Sequence, residues 1–139
     1  MKKLLLTIFI YTPFFWFFEL LQNLAYKLTT GEYGWVYPTE SSHWFSFRTL
    51  PSWGIALAVM LFVDKFFRAK NYNLWTICLT AGSICWGLEW CNGFLWAEIL
   101  QQPLYVWTFS PLKYVGIEAI ILWCLDVWVL LQLVKAQKN

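Results

Sequence analysis

Apolar positions along the chain gather into four blocks, about 4–27, 50–68, 73–100 and 111–134. Each is long enough to cross a bilayer as a helix, which takes about 20 mostly apolar residues. The second block is the weakest: only Trp53–Val63 is free of charge, and spanning length requires Lys65 to snorkel. Pro13 falls inside the first block and predicts a kink, while Pro51 and Pro111 fall near the starts of the second and fourth. The predicted fold is an all-α membrane protein, one transmembrane domain over residues 1–139 with four transmembrane helices.

Lys and Arg orient those helices. Lys2, Lys3, Lys65, Arg68, Lys70, Lys135 and Lys138 fall on one side, against Lys27, Arg48 and Lys113 on the other. The positive-inside rule places both termini and the 64–72 loop in the cytoplasm. A bacterial inner membrane fits that pattern. The opening "MKKLLLTIFIYTPFFWFF" has the basic start of a signal peptide, but no small-x-small cleavage site follows, so it is expected to remain as the first helix.

Composition agrees. Sixty per cent of the residues are hydrophobic and 13% charged, against roughly 45–50% and about 25% in soluble domains. Net charge is +2 with no basic patch, which excludes nucleic acid as a partner. Cys78, Cys85, Cys91 and Cys124 all lie in apolar blocks without a CxxC spacing, and read as small hydrophobes. His43 is the single histidine and sits in an outer loop near Glu40, so no bis-histidine haem, metal site or Ser-His-Asp triad is expected, and no cofactor. The outer loops "GEYGWVYPTESSHWFSF" and "PLYVWTFS" are dense in aromatics. They predict either an aromatic belt in the headgroup layer or a lid over a cavity that opens outward.

The candidate chemistry lies in "FFELLQNLAY" and "GLEWCNGFLW". Glu19 is followed by Asn23 and Glu89 by Asn92, a spacing that puts each pair on one helix face. Trp35 and Tyr37 follow Glu19 by 16 and 18 residues, and Tyr105 and Trp107 follow Glu89 by the same steps. Each half then reaches a proline and a Gly-Ile: Pro51 with Gly54-Ile55, Pro111 with Gly116-Ile117. The pattern is that of two parallel two-helix repeats related by an axis along the membrane normal. Counting at about 1.5 Å per residue puts Glu19, Glu89 and Glu118 at similar depth in the outer half, with Asp126 deeper. A lipid-facing charge there costs at least about 2.5 kcal/mol, so the acids are expected to face inward. With no Lys or Arg opposite, they are expected to hydrogen-bond to Asn23, Asn92 or one another. Such groups either hold helices together or form a binding or proton-relay site.

"LEWCNGFLWAEIL…WTFSPLKYVGIEAIILW" resembles the small multipass ABC-transporter permease family of the CmpB type. That family's Glu, nearby Gly, W-x-Y-S and later Gly match Glu89, Gly93, Trp107–Ser110 and Gly116. "FIYTPFFWFFELL" and "SWGIAL" are similar to its first half, so most of the chain is covered. Thr108 and Phe109 replace its Asp and Tyr, and Trp53 stands at a Tyr position. The resemblance implies a permease-like or accessory subunit. No GxxxxGK[ST] loop is present, so the chain itself hydrolyses no ATP. "LPSWGIAL" and "KYVGIEAIIL" also resemble membrane lycopene cyclase domains, without their paired acids, because Ala119 follows Glu118. That resemblance implies the alternative, an enzyme protonating an isoprenoid, carotenoid or lipid through these carboxylates. One four-helix unit is small for a transport path, so a homo-oligomer or larger membrane complex is expected, with the lipid bilayer and a hydrophobic ligand as partners.

Overall fold

The computed structural model describes residues 2–137. The fold is all-α, with four long helices: α1 (Lys2–Thr30), α2 (Leu50–Arg68), α3 (Leu74–Phe94) and α4 (Ala119–Ala136). Helices α1, α2 (extended by a turn from Phe47) and α4 are long and apolar enough to cross a membrane. Helix α3 is 21 residues long but falls outside that set. Its Trp, Gly, Ser, Thr and Glu residues dilute its apolar ones. Of the basic residues used to orient the helices, Lys138 lies outside the described residues.

Local signals explain the helix ends. Asn73 caps α3 by accepting the Thr76 N–H at 2.9 Å. Pro51 opens α2, where its missing N–H leaves no bond unmade. Helix α1 continues through Pro13, and the preceding Thr12 hydroxyl donates to the Ile8 carbonyl at 2.8 Å. Helix α3 runs on into a wider turn, Leu95–Ile99, closed by the Leu100 N–H on the Leu95 carbonyl at 2.9 Å.

The fourth block departs from expectation. Helix α4 begins at Ala119, not near 111, and residues 111–118 form turns. Lys113 adopts a left-handed backbone, φ 66°, and its carbonyl takes the Trp107 N–H at 2.9 Å. That ring must close before the helix can start. Pro111 therefore marks a turn.

Two short strands, β1 (Trp35–Val36) and β2 (Val106–Trp107), pair antiparallel between the loops, Trp35 with Trp107 and Val36 with Val106. Val36 and Val106 are 70 residues apart, and the same offset recurs throughout. Tyr37 N–H donates to the His43 carbonyl at 2.8 Å as Trp107 does to Lys113. His43 N–H meets the Glu40 carbonyl and Lys113 N–H the Ser110 carbonyl, both at 3.2 Å. Left-handed residues fall at Gly31 and Gln101, and at His43 and Lys113. Trp16 Nε1 donates to the Ser46 carbonyl and Trp86 Nε1 to the Gly116 carbonyl, each at 2.8 Å. The two helix–loop–helix halves thus share hydrogen bonds and left-handed residues at one offset of 70. An antiparallel pair made of equivalent residues is what a two-fold axis through Val36 and Val106 requires. The offset also corrects two equivalences: Pro51 and Pro111 are not partners, and Asn92 matches Gln22, not Asn23.

One core lies between the helices, with Phe15, Leu57, Met60, Ile77, Cys85, Val127 and Leu130 at its centre. Phe15 matches Cys85, Leu57 matches Val127, and Met60 matches Leu130 at the same offset. A second core, under the loops, gathers Trp35, Tyr37, Leu104, Tyr105, Trp107 and Val115.

Candidate functional site

The two carboxylates at the heart of the repeat meet where the two cores join. Glu19, on α1, accepts hydrogen bonds from the Tyr37 hydroxyl and Trp53 Nε1, with the Thr49 hydroxyl at 3.4 Å. Glu89, on α3, accepts from Trp107 Nε1 at 2.8 Å and Trp123 Nε1 at 2.6 Å. The donors lie 18 and 34 residues beyond the carboxylate in both halves. All four carboxylate oxygens therefore take an N–H or O–H donor, and three of the four primary donors are indoles, which can only donate.

Two indole pairs join the halves. Trp53 and Trp123, equivalents in the repeat, stack with centroids 5.1 Å apart and 38° between planes. Trp35 and Trp107 do so at 4.8 Å and 38°. Trp35 Nε1 donates to the Tyr37 hydroxyl at 3.0 Å, and the Tyr105 hydroxyl donates to the Glu89 backbone carbonyl at 2.6 Å. Trp35, Tyr37, Tyr105 and Trp107 are all buried. They form a roof over the carboxylates, so these four do not belong to a headgroup belt.

Beneath the roof is a cavity of about 300 Å³. Glu19 and Glu89 face it together with Asp126 and the indoles of Trp35, Trp53, Trp107 and Trp123. Its mouth opens sideways: the lining residues Ile55 on α2 and Leu88 and Cys91 on α3 are exposed on the outer surface of the bundle. The opening expected from sequence was outward. Asn92 Nδ2 reaches the Ser52 hydroxyl at 3.3 Å across that α2–α3 seam. At the matching α1–α4 seam, Gln22 Nε2 donates to Asp126 at 2.8 Å. Asp126 is 2% exposed, so it relies on this donor.

Not every expected residue joins the site. Glu118 is exposed at the N-terminus of α4, where the Tyr26 hydroxyl donates to it at 2.5 Å. The depth count failed there because the helix starts eight residues later than its apolar block. Asn23 is buried but supports the roof instead: its amide donates to the Trp35 and Trp44 carbonyls at 2.9 and 3.2 Å. Sequence reasoning missed Trp53, Trp123, Gln22 and Ser52. A search for identical residues at one fixed offset would have found the two tryptophans.

Burial pushes the Tyr37 and Tyr105 phenols well above the usual tyrosine range, and the neighbouring Glu19 and Glu89 add to it. Among the described residues no group of three His, Cys, Asp or Glu side chains is placed to hold a metal ion. Comparison with family models, with curated proteins and with solved structures found no match.

Proposed function

We propose that the chain is a small polytopic membrane protein with four spanning helices and both termini in the cytoplasm, a permease-like or accessory subunit that receives a hydrophobic ligand in its intramembrane cavity. The observation that carries this reading is the cavity itself: about 300 Å³, roofed by aromatics, with two hydrogen-bonded carboxylates on its wall. That size is at the lower end of ligand sites, and its apolar lining with few polar groups is their usual character. Carboxylates this close to lipid are costly as mere helix glue when Ser, Thr or Asn would serve.

Four spans are supported by the 21-residue α3 packing on α2 and α4, two helices that meet the length and hydropathy of a span. The orientation is supported by six described basic residues at the end with the termini, against three at the roofed end. A bacterial inner membrane suits that bias, and a homo-oligomer or larger complex suits so small a unit. The acid-catalyst alternative fits the geometry less well, because all four oxygens of Glu19 and Glu89 already accept a donor.

Native mass spectrometry of protein released from nanodiscs tests the reading. It expects a small hydrophobic molecule bound to the wild type and lost from Glu89→Gln. Chains that release no small molecule, or a folded Glu89→Gln that keeps it, would overturn it.

A further inference from the structure

The cavity described above also says what kind of ligand it would hold. Its walls include four indoles and a phenol, and its only ionisable acids or bases besides that phenol and two thiols are three carboxyl side chains; Gln22, Thr49, Ser52 and Asn92 are neutral, and no Lys, Arg or His is among the lining residues. Indole faces attract cations through the ring quadrupole, most strongly where water is excluded. The carboxylates act in the same direction. A cation in the cavity favours their ionised form, and the oxygens of Glu19 and Glu89 are occupied by N–H and O–H donors, so their charge acts on such an occupant through space. A large cation of diffuse charge needs no direct coordination and suits such a wall.

The mouth adds the second half of the inference. It lies between α2 and α3, edged by Ile55 (62% exposed), Leu88 and Leu95, with Cys91 beside them. In a membrane-spanning bundle those side chains face acyl chains. The carboxylates lie near the N-terminal ends of α2 and α4, since Thr49 and Trp53 reach one and Trp123 the other. They therefore sit towards the roofed end of the bundle, close to one headgroup layer. A molecule with a cationic head and an apolar tail could place its head under the roof and leave its tail among the lipids.

We propose that the cavity binds a cationic amphiphile, an alkyl-ammonium type of molecule, which enters sideways from the bilayer between α2 and α3. This rests on the cavity being a ligand site and narrows it to one charge class. The α1–α4 seam is the closed counterpart of the mouth, tied by Gln22 to Asp126 and by Tyr26 to Glu118. The ties at the mouth are weaker, Asn92 to Ser52 at 3.3 Å and the Cys85 thiol to the Ala56 carbonyl at 3.9 Å.

The test compares three probes of one chain length on the wild-type protein in phosphatidylcholine nanodiscs: dodecyltrimethylammonium, dodecanol and dodecyl sulfate. Tryptophan fluorescence and native mass spectrometry read the binding. The expected order is the ammonium tightest, at least about tenfold tighter than the alcohol, and the sulfate weakest. Glu89→Gln should weaken the ammonium by about tenfold and leave the alcohol unchanged. Ile55→Trp, at the mouth and away from the carboxylates, should weaken the ammonium and the alcohol alike. Equal binding of ammonium and alcohol would overturn the charge class while leaving a hydrophobic ligand site. Tightest binding by the sulfate would overturn it too. Binding of none of the three would overturn the ligand site itself. Unchanged probe binding in a folded Ile55→Trp would overturn the sideways path.

Discussion

The first half holds Glu19 with a phenol, an indole and a hydroxyl, whereas the second holds Glu89 with two indoles. The donors come from the same positions in the repeat, Tyr37 or Trp107 and Trp53 or Trp123. The frame that aims a donor at the carboxylate is therefore repeated, and the donor's chemistry is free to differ. The helix contacts differ in a related way. Thr12 on α1 faces Gly54 on α2, with 3.7 Å between the hydroxyl and a methyl built on the glycine. In the second half the small residue has changed sides: Gly82 on α3 faces Cys124 on α4, and a methyl there would lie 2.7 Å from the sulfur. Close helix approach survives because one partner of each pair is a glycine.

The most damaging test of this equivalence is removal of the shared indoles. Trp53 is 6% exposed and packs on Phe15 and Trp123 while donating to Glu19. Trp53→Ala should cost about 3–5 kcal/mol, the usual range for emptying a large aromatic site. Trp123→Ala, only partly buried, should cost less but still more than about 2 kcal/mol. Thermal unfolding in nanodiscs measures both. A loss confined to one of the two would mean that the halves share geometry without sharing its energetics.

The exchanged glycine gives a sharper test. Gly82→Thr puts a side chain against the Cys124 sulfur and against its backbone nitrogen, 3.0 Å from the added carbon. Backbone cannot yield as a side-chain tip can, so a loss of about 3 kcal/mol is expected. Adding Cys124→Gly transplants the first half's pairing into the second and should recover most of it. A double variant no better than Gly82→Thr would show that the two helix pairs do not approach in the same way.

The seams should separate next. Gln22→Leu removes the one side-chain donor on buried Asp126 and should cost about 2 kcal/mol, as for a hydrogen bond to a charged or acidic group. Asn92→Leu loosens only a 3.3 Å contact to half-buried Ser52 and should cost under about 1 kcal/mol. Equal losses would contradict a closed α1–α4 seam and an easily opened α2–α3 one.

Much of this was legible in the residues because a carboxylate in an apolar run stands out. The structure brings Glu19 and Glu89 together with the aromatics 16 and 18 residues on, and α2 covers the residues expected of it. The 34-residue step to Trp53 and Trp123 was hidden by the loop it crosses. The Pro-Gly-Ile match drew attention to a different offset in the same region. Glu118 was misplaced because an apolar block need not be a helix. "PLKYVGIE" lengthens the apolar block, yet it folds as turns fixed by the Trp107–Lys113 bond. The sideways mouth could not be read at all, since it depends on how closely helices from opposite halves approach.

The smallest effect expected is alkaline. Tyr37 donates to the carboxylate of Glu19, and Tyr105 to the backbone carbonyl of Glu89. Both phenols are held well above the usual range, first by burial and then by the nearby carboxylate. An unfolded chain ionises its tyrosines near pH ~10. The folded chain keeps these two protonated, so stability is fully present below that pH and falls as pH rises above it. At least two of the seven tyrosines, Tyr37 and Tyr105, should resist ionisation in a tyrosinate absorbance titration, and release together with unfolding. Tyr37→Phe and Tyr105→Phe should each remove one resistant phenol. All seven ionising in the folded protein near the ordinary value would mean that water reaches the roof from above, and the buried aromatic layer over Glu19 and Glu89 would have to be abandoned.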